Sequence, residues 1–86
     1  MLKGLVIGNV VSTKKQESLT GSKFLEVRII ENNTETDKYI VAVDSVGAGI
    51  GEEVLVVTGS SARVAVGDIN SPVDAVVAGI IDKIQN

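Results

Sequence analysis

Three glycines at alternate positions, Gly47, Gly49 and Gly51, suggest chemistry first, because glycine-rich turns can cradle phosphates with backbone amides. A dinucleotide fingerprint needs a helix to open after its third glycine. Here Glu52 and Glu53 follow instead, and two carboxylates repel a phosphate. No lysine follows a glycine in P-loop fashion. The segment therefore reads as a tight turn or a close backbone approach that leaves no room for Cβ; Gly49 is expected to need such freedom. Six carboxylates, Asp44, Glu52, Glu53, Asp68, Asp74 and Asp82, could supply an acid–base pair or bind a hard metal, but none shows ligand spacing. Adjacent Glu52 and Glu53 read as a solvated strand entrance, and Lys14-Lys15 as a solvated loop. Arg63 is the only basic residue between Lys38 and Lys83 and lies in an otherwise apolar stretch. Its planar fork is either exposed to water or held by an acceptor, with Asp74 or a carbonyl of a neighbouring subunit as candidates.

The composition removes most other chemistry. The chain contains no His and no Cys, which excludes imidazole bases, thiolate nucleophiles, disulfides and the usual zinc, copper and haem ligands. No catalytic residue, cofactor or metal is expected. Eight Lys plus Arg against eleven Asp plus Glu give a net charge of −3, which offers no electrostatic footprint for nucleic acid. No apolar run approaches the roughly 18–20 residues of a membrane span, and Met1-Leu2-Lys3 lacks the features of a signal peptide. The expectation is a cytoplasmic protein with no membrane partner.

What must position these residues is a single small domain, residues 1–86, of 8.9 kDa. Such a chain buries only about 60–70% of its unfolded surface, so stability needs help from outside one core. Fifteen Val and nine Ile against five Leu favour strands. The pattern predicts strands over Lys3–Thr13, Lys23–Ile30, Tyr39–Val43, Val54–Thr58 and Val76–Ile84. A polar connection is expected over Lys14–Ser22, and a hairpin loop over Glu31–Asp37. Gly59 to Arg63 resembles the start of one short helix, with Ser60 or Ser61 as N-cap. Five strands and one helix suggest a small, incompletely closed OB-like Greek-key barrel. The first, fourth and fifth strands are apolar on both parities, more than one interior can take, so the outer parity is expected to be buried against copies of the same chain.

Several blocks together resemble the EutN/CcmL family of pentameric vertex proteins from bacterial microcompartment shells, including carboxysomes. In order, they are Gly8 to Thr13 with Lys15; Ser18 to Gly21 with Lys23-Phe24-Leu25; Ala42-Val43-Asp44 through Val46 to Gly49 and Gly51-Glu52 to Val54-Leu55; Gly59 to Arg63; and Pro72 to Ala75 leading into Gly79 to Asp82. The resemblance spans almost the whole chain. Departing from the pattern, the chain stops at Asn86 without the longer C-terminal tail of some relatives, and the Glu31 to Lys38 hairpin is short.

The resemblance implies an OB-like barrel that assembles as a homopentameric ring and caps the five-fold corners of a polyhedral shell built with hexameric shell proteins. The role implied is structural, without catalysis, in the cytoplasm. It places Gly59, Ser60 and Ser61 at the five-fold axis, where small residues let five chains converge. Gly47, Ala48 and Gly49 then serve close packing between subunits or against shell neighbours, with Arg63 and Asp74 at the subunit interface. The alternative is a free-standing OB-type module for nucleic acid or sugar. Such modules present aromatic platforms on a basic groove, whereas Phe24 and Tyr39 are the only aromatics here.

Overall fold

The computed structural model describes residues 1–11, 23–59, 62, 65 and 74–82. They form five strands: β1 (Leu2–Val10), β2 (Phe24–Glu31), β3 (Thr34–Asp44), β4 (Glu53–Thr58) and β5 (Ala75–Ile80). The strands close into a barrel in the order β1-β2-β3-β5-β4. All neighbours pair antiparallel except β3 and β5, which run parallel through Val43–Val76 and Asp44–Val77. That short parallel contact closes the barrel, whereas the sequence reading left it partly open.

Alternation of side chains along each strand explains the interior. Val6 of β1, Leu25 and Val27 of β2, Ala42 of β3, Val54 and Val56 of β4, and Ala75 and Val77 of β5 form one buried cluster with Ala48. Each Val or Leu fully buried there is worth about 1.5–3 kcal/mol. A second cluster uses the opposite parity. Val43 and Val76 are buried together with Ala62, and Phe24 and Val57 pack against them. Part of the apolar surplus of β4 and β5 is therefore absorbed within the chain rather than left for other copies. Ala62 and Ala65 have helical backbone where the short helix was expected; Ser60, Ser61 and Arg63 lie outside the described residues.

The hairpin between β2 and β3 is longer and its turn tighter than the sequence suggested. Only Asn32 and Asn33 form the turn, with φ of 52° and 60°. Two successive left-handed residues match the twist of a hairpin, and Asn tolerates that region better than most residues. β3 accordingly starts at Thr34 instead of near Tyr39. The expected loop residues Thr34 to Asp37 are strand with a bulge, since Arg28 pairs with Tyr39 and Ile30 with Glu35. The Thr36 hydroxyl repairs the interrupted ladder by donating to the Ile29 carbonyl at 2.8 Å and accepting from the Lys38 amide at 3.2 Å.

Other strand ends also moved. β1 stops at Val10, and Val11 beyond it is 89% exposed. β5 runs from Ala75 to Ile80, not to Ile84, and a register shift against β4 sets Gly79 opposite Leu55 and Ile80 opposite Val54.

Candidate functional site

The segment from Asp44 to Glu52 carries the densest polar organisation of the described residues. Asp44 ends β3 with a side chain only 3% exposed, and its Oδ1 accepts three successive amides, from Val46 at 3.1 Å, Gly47 at 3.1 Å and Ala48 at 3.3 Å. Asp at the start of a turn commonly binds amides two or more residues on, and here one oxygen gathers three. Lys23 Nζ lies 3.8 Å from the other oxygen, Oδ2, and donates to the Ala48 carbonyl at 3.2 Å. Ala48 is fully buried in the main core, so the turn is anchored by packing as well as by charge.

The second half of the segment repeats the device. Glu52 Oε1 accepts the Gly49 amide at 2.6 Å, and the Glu52 amide returns a bond to the Gly49 carbonyl at 3.1 Å. Gly51 donates to the Val6 carbonyl at 2.8 Å and Val6 to the Glu52 carbonyl at 3.0 Å, which ties the turn to β1. Positive φ falls on Gly47 (79°) and Gly51 (91°), not on Gly49. A Cβ on Gly49 would meet only the Glu52 carboxylate, at 3.4 Å. The sequence expectation that Gly49 is the constrained glycine is thus corrected within one chain: Gly47 and Gly51 take the left-handed conformation.

This geometry answers the phosphate question physically. The amides of residues 46 to 49 that would face an anion already face the chain's own carboxylates. Asp44 is the organising residue, although in the sequence it stands as one carboxylate among six; its signal there is an Asp immediately before Ser45-Val46-Gly47.

The remaining expected site residues fall into two sets. Gly47, Ala48 and Gly49 do sit together in one turn. Gly59, with φ of 65°, donates its amide to the Asp74 carbonyl at 2.9 Å, and the Ala62 amide bonds back to the Gly59 carbonyl at 3.1 Å. The residue expected at a five-fold axis and the residue expected at an interface are therefore joined through backbone at the ends of β4 and β5.

The outer barrel face adds one polar group that the sequence did not single out. Arg28 Nη2 donates to the Tyr39 hydroxyl at 2.7 Å, Nη1 reaches Glu35 at 3.2 Å, and the guanidinium carbon lies 5.1 Å from the Tyr39 ring centre. The bond to the Tyr39 hydroxyl, followed by its charge interaction and those of Glu35, raises the Arg28 pKa above the ordinary arginine value. Beside it, Lys3, Leu5, Ile30, Asn33, Glu35 and Glu53 line an open cleft. Among the described residues no group of three His, Cys, Asp or Glu could hold a metal ion. Large apolar side chains are exposed at Tyr39 and Val41 of β3, at Ile80 of β5, and at Val46 and Ile50 of the turn, where Ile50 is 65% exposed.

A closed five-stranded barrel whose polar turns satisfy themselves, and whose outside keeps apolar side chains in water, has the anatomy of a small assembly subunit. The family model described as "Ethanolamine utilisation protein EutN/carboxysome" matches residues 1–82, and the chain belongs to that family. It is 50% identical over 86 residues to the bacterial microcompartment shell vertex protein GrpN of Rhodospirillum rubrum, covering 99% of this chain and 97% of that protein. It is 49% identical over 83 residues to the carboxysome shell vertex protein CcmL of Gloeobacter violaceus, covering 95% and 83% respectively. Among solved structures, the GrpN pentameric microcompartment shell protein from Rhodospirillum rubrum superposes with a TM-score of 0.89 at 46% identity, covering 100% of this chain and 99% of that one. The Gloeobacter violaceus CcmL structure gives a TM-score of 0.92 at 46% identity, covering 100% and 90%.

Proposed function

We infer that this chain is a structural shell protein of a bacterial microcompartment, forming homopentamers that cap the five-fold vertices of the polyhedral shell. The observation that carries the reading is its likeness to the pentameric GrpN structure along essentially the full length of both chains. At this level of identity the subunit fold is retained, and a ring interface made from that fold is the simplest use of the exposed apolar side chains. A head-to-tail contact closes only at a fixed rotation, so the same subunit shape favours the same closure.

The role is mechanical. The subunit sits in the cytoplasm as part of the shell, contacts hexameric shell proteins around its rim, and carries no catalysis. Gly59, Ser60 and Ser61 would line the five-fold axis, Gly47 to Gly49 would pack against neighbours, and Arg63 and Asp74 would work at the subunit interface. A net charge of −3 and two aromatics give the OB-type nucleic-acid or sugar module no support.

Native mass spectrometry tests the reading directly. The expected species has five times the 8.9 kDa chain mass and persists on dilution to micromolar concentration. A stable, folded monomer under those conditions would sink both the ring and the vertex role.

A further inference from the structure

We propose that the Asp44 to Ala48 turn is an anion-binding nest whose ligand is carried by the chain itself, so that Asp44 acts as a resident carboxylate and its removal leaves a site for a free one. Three successive amides converge on one oxygen within 3.3 Å, which is how backbone nests hold external anions. The positive φ of Gly47 turns the backbone so that the amides on either side converge. The Asp44 side chain is only 3% exposed, and a cation, Lys23, stands 3.8 Å from its second oxygen. A buried carboxylate paired in this way is held by charge-assisted bonds, each stronger than a neutral one.

The consequence is specific to Asp44. Replacing it with Ala keeps Cβ and deletes a group the size of formate, leaving three amides and a lysine facing the gap. Those amides have no other partner within the turn, so they would recruit a small carboxylate or lose their order. Asp44 is thus a positioning residue for the turn that displays Val46 and Ile50, and this inference holds whether or not the protein forms a pentameric ring.

The test is amide hydrogen exchange on the full chain in its native assembly, comparing wild type, Asp44→Ala and Asp44→Asn, with formate or chloride added at equal ionic strength in the tens of millimolar. In Asp44→Ala the amides of Val46, Gly47 and Ala48 are expected to exchange about tenfold faster or more, while those of β2 change little. Formate should restore most of the protection and chloride should not. Asp44→Asn keeps an oxygen for the amides and loses the charge, so its protection should fall between the other two. Unchanged exchange in Asp44→Ala, equal effects of formate and chloride, or an Asn variant no better than the Ala variant would each overturn the proposal. So would an Asp44→Ala chain that is unfolded and stays unfolded in formate.

Discussion

Gly4 of β1 lies directly against Val27 of β2: a Cβ built on Gly4 would overlap Val27 Cγ1 and approach the Arg28 carbonyl oxygen to 2.9 Å. Gly4 has an ordinary φ, so its requirement is space and not conformation. Gly4→Ala should therefore destabilise the subunit by overpacking, by about 1–3 kcal/mol, as urea unfolding would show. Combining it with Val27→Ala should recover part of the loss, because the same methyl causes the clash. Equal loss in the single and double variants would place the strain elsewhere.

The Asn32-Asn33 turn makes a second prediction. Asn32→Gly should leave stability within a few tenths of a kcal/mol, whereas Asn32→Val, which puts a β-branched residue at a φ of 52°, should cost about 1–2 kcal/mol. Thermal unfolding of the three proteins at one concentration measures this. A neutral Asn32→Val would mean that the hairpin register does not depend on this turn.

Gly47 and Gly49 should differ in what they disturb. Gly47→Ala forces a side chain into a φ of 79° and should lower subunit stability by about 1 kcal/mol or more. A Cβ on Gly49 makes only an ordinary contact, 3.4 Å from the Glu52 carboxylate of its own chain, so a large effect of Gly49→Val is expected to fall on assembly. Circular dichroism reports the first and native mass the second. A Gly49→Val protein of normal oligomeric size would show that no neighbour packs on that position.

Arg63 and Asp74 are predicted to be coupled in the assembled protein. In a double-mutant cycle of Arg63→Ala and Asp74→Ala, read by thermal unfolding and native mass, the coupling should be about 1–3 kcal/mol if the pair is desolvated. Additive effects, with the oligomer and melting temperature of Arg63→Ala unchanged, would identify a surface arginine instead.

Much of this protein is legible in its side-chain alternation. Leu25, Val27 and Ile29 point inward from β2 as their spacing requires, and an excess of Val and Ile with neither His nor Cys favours strands while removing most chemistry. The ordered blocks from Gly8 to Asp82 carry the family resemblance, and the family model matches residues 1–82. What the sequence could not decide depends on contacts between residues far apart. The polar run after Ile30 looks like a loop, yet the Thr36 hydroxyl bonding Ile29 lets it continue as bulged strand. Barrel closure rests on a parallel contact between Val43 and Val76, thirty-three positions apart, which no local pattern encodes. The outer-parity Val57 and Val76 look available to other copies in the sequence, yet they pack in one cluster with Val43, Ala62 and Phe24. Asp44 resembled any acidic residue before a turn, because convergence of three amides on one oxygen exists only once β3 and Ala48 are fixed against the core.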